Sequence, residues 1–278
     1  MLSYRHSFHA GNFADVLKHI ILIEILKHLC EKDKPFDYFD SHAGAGLYSL
    51  ISKEATKKRE FEQGIAQLNI SHFPELSDYL NLINSADNQN NLEFYPGSPL
   101  IAKHFLRSQD KGWLFELHPT DFNNLQTNFQ HNRRFKLQKS DGFKGLLAVL
   151  PPQSRRGVIL IDPSYEIKTD YSQIVDTVIR AYKKFSTGTY AVWYPVVERH
   201  RVQRLIKQFI QSGIRDIQRY ELGVRSDSMS KGMTASGMII VNPPWKLMTQ
   251  MKNVLPRLTE TLKQDEGAFF KADILVKE

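Results

Sequence analysis

One cysteine, Cys30, is all the thiol chemistry that 278 residues contain. An internal disulfide and a thiolate metal cluster are both excluded, and such usage suits a reducing cytoplasm. Long apolar runs are missing too. The most hydrophobic stretch, IILIEIL at 20–26, is broken by Glu24 and followed by Lys27. That is far short of the roughly 20 apolar residues a membrane span needs, so the run reads as a core-facing helix and no membrane partner is expected. The opening MLSYRHSFHAG is polar and rich in histidine, unlike a secretory signal. There is no internal repeat, no low-complexity tract and no G-x-G-x-x-G to cradle a dinucleotide pyrophosphate. The early histidines lack the carboxylate-rich spacing of a zinc site, so no metal is expected.

What is present describes an ordinary globule, 41% hydrophobic and 11% aromatic. The net charge is +7, with basic clusters at KKR (57–59), NRRFK (132–136), SRR (154–156) and RHRVQRLIK (199–207). A positive surface attracts a polyanion by releasing its counterions, which makes RNA or DNA the leading partner class. A solvated, mildly basic enzyme surface explains the charge equally well.

Short apolar runs alternate with helix-like stretches: FDYFD (36–40), GWLFEL (112–117), FKLQKSD (135–141), GVILID (157–162) and TYAVWY (189–194). This rhythm predicts βαβ units and a mostly parallel sheet. Two later runs, IQRYELGV (217–224) and GMIIVN (237–242), lack a helix-length connection and read as an antiparallel edge pair. The expected fold is therefore α/β and Rossmann-like, with a seven-stranded sheet. Residues 47–93 break the rhythm, showing helical periodicity and no convincing strand. They read as an inserted helical subdomain, with 1–46 and 94–278 forming the main domain and 1–19 a lid.

In doubly wound sheets ligands bind outside the carboxyl ends of the strands. Here four consecutive runs end in Asp40, Glu116, Asp141 and Asp162. Taken singly, each is more simply a capping or surface carboxylate; the series is harder to dismiss. Gly44 and Gly46 in SHAGAG permit a tight turn and close backbone approach to a ligand. Glu116 can accept hydrogen bonds from both hydroxyls of a ribose, and Asp141-Gly142 suits an adenine and its neighbouring backbone. Glycine loop and acidic series together point to S-adenosylmethionine rather than a dinucleotide.

The fourth run ends in Asp162-Pro163-Ser164-Tyr165. An exocyclic amine on a nucleobase is a poor nucleophile because its lone pair is delocalised into the ring. To attack a methyl group it must pyramidalise, and its N–H bonds then need acceptors. The Asp162 carboxylate and the Pro163 carbonyl can supply them, and Tyr165 can stack on a base taken out of its helix. Ser164 departs from the usual signature, which has a second proline there. Serine restores an N–H and loosens the backbone, so the Pro163 carbonyl is less firmly aimed. A rival signature, Asn242-Pro243-Pro244-Trp245, fits the amine-methyltransferase pattern better letter for letter. Only 33 residues follow Trp245, too few for the strands that must come after a catalytic one, and the motif reads as a rigid strand exit.

Several of these stretches together resemble one family. MLSYRHSFHAGNFADVLKH, DSHAGAG, YPGSPLIA (95–102), FELHP (115–119), SDGF (140–143), SRRGVILIDPSYE (154–166), TGTYAVWYPV (187–196) and GMTASGMIIVNPPWKL (232–247) are similar to the RlmJ family. The resemblance covers nearly the whole chain and leaves only the stretch beyond about Glu260 generic. It implies methylation of N6 of one adenine in bacterial large-subunit ribosomal RNA, with S-adenosylmethionine as cofactor. It implies cofactor contacts from His19, His42, Ser98, Glu116, Asp141, Gly142 and Asp162, with Asp162 as catalytic acceptor. Tyr4, His6 and Lys18 would lie on the RNA side. The expected partner is protein-free ribosomal RNA or an early assembly intermediate, met by a monomer. A DNA adenine or cytosine-N4 methyltransferase would share the chemistry, although no target-recognition domain is visible. A weakly active RNA-binding protein, slowed by Ser164, is the alternative of a different class.

Overall fold

The computed structural model describes residues 5–86, 91–166, 170–227 and 232–278. Its first long element, α1 (Phe13–Cys30), is hydrophobic almost all round, as a helix threaded through a core must be. Asn12 starts it by accepting hydrogen bonds from the Ala14 and Asp15 amides, each at 3.0 Å. Three polar residues, Asp15, Lys18 and His19, are buried on this helix among aliphatic neighbours. Such burial is costly unless each polar group is paired.

Eight strands form the main sheet: β1 (Asp37–Asp40), β4 (Lys111–Phe115), β5 (Phe135–Gln138), β6 (Gly157–Ile161), β7 (Thr189–Val196), β8 (Ile217–Gly223), β9 (Ala235–Val241) and β10 (Phe269–Val276). Their order is β10-β8-β9-β7-β6-β1-β4-β5. The five from β5 to β7 are parallel, and β9, β8 and β10 continue antiparallel. The chain runs outward from β1 through β4 to β5, then returns to lay β6 on the other side of β1. The switch point therefore lies between β1 and β6. Every residue of β6 is buried. Val158 and Leu160 face one hydrophobic cluster, Ile159 and Ile161 the other, which is why the strand reads as a continuous aliphatic run. Helices α1, α4 (Ser98–Phe105), α5 (Pro119–Phe129) and α9 (Leu247–Leu262) cover the first face. Helices α6 (Gly142–Val149), α7 (Asp170–Lys184) and α8 (Arg199–Gln211) cover the second.

The strand count corrects the sequence expectation of seven. β10 was not foreseen because FFKADILV is only partly buried along its length. An edge strand needs no clean alternation. The expected edge pair is also displaced, since β9 sits between β7 and β8 while β10 takes the edge. Between β1 and β4, short strands β2 (Leu47–Ser49) and β3 (Phe94–Pro96) pair antiparallel. They bracket α2 (Lys53–Lys58), three single 3-10 turns and α3 (Ser77–Ser85). At three residues, β2 is too short to leave a periodic signal. No helix among the described residues is long and apolar enough to cross a membrane.

Candidate active site

At the switch point the ends of β1, β4 and β6 converge on a cavity of about 840 Å³, within the usual range for small-molecule sites. Its floor is acidic. Behind that floor and not itself lining the cavity, Asp40, wholly buried at the end of β1, accepts from the Tyr38 hydroxyl at 2.6 Å and the Ser98 hydroxyl at 2.7 Å. Burial pushes its carboxyl up to about 6, against the pull of those two donors and with a further push from Asp162. Glu116, just past β4, is tied at both oxygens: Oε2 accepts the Gly44 amide at 2.8 Å and Oε1 the His118 amide at 2.7 Å. Those bonds fix the plane of the carboxylate and leave further lone pairs on each oxygen. Burial still raises its pKa.

The SHAGAG loop is shaped by its glycines. Gly44 and Gly46 have φ of +61° and +82°, backbone that favours glycine. Gly44 lies on the cavity wall; Gly46 does not. Its carbonyl receives the Gly97 amide at 2.7 Å, so its turn seats the neighbouring Ser98 on the wall. His42 sits on the wall with Nδ1 against the Ser41 hydroxyl at 2.8 Å. Burial pushes the imidazole down to about 4, leaving it neutral near pH 7. Asp141 caps α6, its Oδ1 accepting from the Phe143 amide at 2.9 Å and the Lys144 amide at 3.2 Å. Next to it Gly142 is forced by packing, since a Cβ there would lie 1.7 Å from the Ser41 carbonyl oxygen.

Asp162 follows β6 directly. Its Oδ2 accepts from Lys18 Nζ at 2.6 Å, and Lys18 also pairs with Asp15 at 2.8 Å. Burial alone would push the Lys18 ammonium down; the two carboxylates outweigh it and hold its pKa well above the ordinary value. Asp15 in turn accepts from the Gly11 amide at 2.9 Å and meets His6 Nε2 at 2.8 Å. Against its burial, His6 and Lys18 hold its carboxyl well below the usual range. Pro163 and Tyr165 complete this side of the cavity. Tyr165 has φ of +56°, a strained backbone for a bulky residue. Its hydroxyl donates to the Trp193 carbonyl, and its ring packs at 4.6 Å from Tyr171 and 5.6 Å from Trp193.

The structure thus brings His6, Lys18, His19, His42 and Ser98 to one cavity, together with Glu116, Asp141, Asp162 and Pro163-Ser164-Tyr165. Tyr4 lies outside the described residues. Sequence reasoning missed Asp15 and Trp193. Asp15 was findable, because it stands three and four residues before Lys18 and His19 on one helical face. Trp193 carried no local signal; it matters because β7 runs beside β6. The Asn242 motif is remote from the cavity. β9 runs antiparallel to β7, so its exit emerges at the opposite rim of the sheet, where the Asn242 amide donates to the Ser186 and Gly188 carbonyls, both at 2.8 Å.

These residues suit S-adenosylmethionine. His19 Nε2, on the cavity wall, is buried with no hydrogen-bond partner, and Glu116 presents an oriented carboxylate to the same cavity. A doubly wound sheet carrying such a site at its switch point defines a class I S-adenosylmethionine-dependent methyltransferase. The sequence model of the family described as "Ribosomal RNA large subunit methyltransferase D, RlmJ" matches residues 33–274, and the chain belongs to that family. The Ribosomal RNA large subunit methyltransferase J of Escherichia coli is 53% identical over 264 residues, 94% of each chain. Its namesake from Haemophilus influenzae is 50% identical over 265 residues, again 94% of each. A solved protein structure from Legionella pneumophila, 38% identical, superposes with a TM-score of 0.88 over 96% of this chain and 98% of that one.

Proposed function

We propose that the protein methylates the N6 amine of one adenine in bacterial large-subunit ribosomal RNA, using S-adenosylmethionine. The observation that carries this reading is the Asp162 carboxylate at the end of β6, held through Oδ2 by Lys18 at 2.6 Å. When bound, the cofactor supplies an electrophilic methyl group. Everything else falls to the chain. Oδ1 of Asp162 and the Pro163 carbonyl accept the two amine hydrogens as the nitrogen pyramidalises, which favours the transition state over the flat amine. Lys18 keeps Asp162 aimed. Tyr165 and Trp193 offer the extruded adenine an aromatic wall, offsetting an unstacking cost of a few kcal/mol. Glu116 would hold the ribose hydroxyls and Asp141 with Gly142 the adenine end. Ser98, His42 and His19 would hold the remainder.

His6, beside Asp15, and the N-terminal segment serve as the lid over substrate, together with Tyr4. Lys58 and Arg201 stand on the cavity rim, where they meet phosphates flanking the target. Ser164 tempers the rate without changing the reaction. The protein acts in the cytoplasm as a monomer, on protein-free RNA or an early assembly intermediate.

The test is transfer of a tritiated methyl group to protein-free ribosomal RNA from cells lacking the enzyme, followed by nucleoside analysis. The expected result is N6-methyladenosine in the large-subunit RNA. Label confined to DNA, or RNA binding with no label, would overturn the proposal.

A further inference from the structure

Part of the site is built by the segment between β1 and β4. Tyr95, on β3, brings its hydroxyl to 2.6 Å from His19 Nδ1, and the Tyr79 hydroxyl, on α3, lies 2.8 Å from that of Tyr95. The His19 and Tyr95 rings stack at 5.5 Å. All three residues are at most 1% exposed. The far nitrogen of the imidazole, Nε2, is the atom left buried without a partner on the cavity wall.

Two hydrogen bonds linking two hydroxyls and an imidazole can run in three ways. Acceptance by Tyr95 from both neighbours strands its own hydrogen in the core, which leaves two. In one, Nδ1–H donates to Tyr95 and Tyr95 to Tyr79. The Tyr79 hydroxyl hydrogen then has nowhere to go, because no other partner is found for it among the described residues. In the other, Tyr79 donates to Tyr95 and Tyr95 donates to Nδ1. Both hydroxyl hydrogens are used, and the proton of the ring resides on Nε2. Each direction leaves one buried donor over, the Tyr79 hydroxyl in the first and Nε2–H in the second; only His19 lies on the cavity wall, where a ligand can supply the acceptor, so the second direction is favoured. The Nε2–H then faces the cavity, where an acceptor must complete it.

We infer that Tyr95 and Tyr79 are positioning residues for the cofactor, holding His19 as the Nε2–H tautomer that donates to the carboxylate of the cofactor's amino-acid tail. The inference rests on the cofactor reading above. Burial pushes the imidazole down to about 3, so the ring is a neutral donor rather than a cation. Lys18 is shared between Asp15 and Asp162, which take two of its three ammonium hydrogens. The second nitrogen of a ligating imidazole is commonly fixed in this way by a neighbouring group.

Two measurements on the full chain test it. Nitrogen-15 NMR of histidine-labelled protein, with the His19 signal identified by its loss in His19→Gln, should give a protonated Nε2 and an unprotonated Nδ1. Calorimetry with S-adenosylhomocysteine should give a dissociation constant raised about fivefold to tenfold in Tyr95→Phe, the loss expected for one buried hydrogen bond. Tyr79→Phe, in which Tyr95 can still donate, should weaken binding by less. A His19 with its proton on Nδ1 would overturn the inference, and so would unchanged affinity in a folded Tyr95→Phe protein that binds as the wild type does. Failure of the wild-type protein to bind S-adenosylhomocysteine would overturn the cofactor reading and this inference with it.

Discussion

Lys18 carries a charge that the hydrophobic core around α1 would reject if it stood alone. Two carboxylates make it tolerable, and it makes them tolerable in return. Replacing Lys18 by Met should leave Asp162 without the ammonium that holds it, while Asp15 keeps His6 at 2.8 Å. The expected outcome is a turnover lowered at least about tenfold, read from single-turnover methyl transfer. A variant with the wild-type rate would show that Lys18 does not govern Asp162. At this scale the sequence was half legible. Asp162-Pro163-Ser164-Tyr165 is contiguous, so its chemistry could be read directly. Its partner is 144 residues away, and only the fold brings an early helix under a later strand. The Tyr79–Tyr95–His19 chain was illegible for the same reason.

Elements, rather than single residues, decide which motif is catalytic. Asp162 and Asn242 both end buried strands and both precede proline, yet β6 and β9 run in opposite directions. Strand direction is not written in a short motif. It follows from whether a helix-length crossover precedes the strand, a signal that was visible in the alternating runs and absent before Ala235. The same signal placed the five parallel strands correctly, whereas β10, half-exposed and charged at Lys271 and Asp273, left too weak a pattern. The start of α6 and the loop after β1 meet closely at Gly142. Gly142→Ala should force them apart, because its Cβ would meet backbone rather than a pliable side chain. The expected loss is about 2–3 kcal/mol of stability by urea denaturation, with weaker binding of S-adenosylhomocysteine. Unchanged stability would mean the loop yields freely.

The molecule as a whole combines a positive exterior with a cavity floored by acids. That division separates attraction from chemistry: the surface gathers RNA, and the floor handles a cofactor and an amine. It also shapes the response to pH. His42 is held near 4 by burial, whereas an unfolded chain protonates it near 6.5. Below that unfolded value the unfolded state binds a proton that the folded state refuses, so this histidine withdraws stability as pH falls from about 6.5 toward 4. His42→Asn should therefore lose less stability than the wild type between pH 7 and pH 5, by about 1.5 kcal/mol in urea titrations. Equal losses would show that His42 is not held neutral in the folded protein.

The decisive measurement is single-turnover methyl transfer by Asp162→Ala at saturating S-adenosylmethionine, with folding checked by circular dichroism. Lys18 keeps Asp15 as a partner in this variant, so the helix beneath the site should survive. A rate lowered by at least about a hundredfold is expected for loss of a group that stabilises the transition state. Incorporation at the wild-type rate would contradict the assignment of Asp162 as the amine's acceptor.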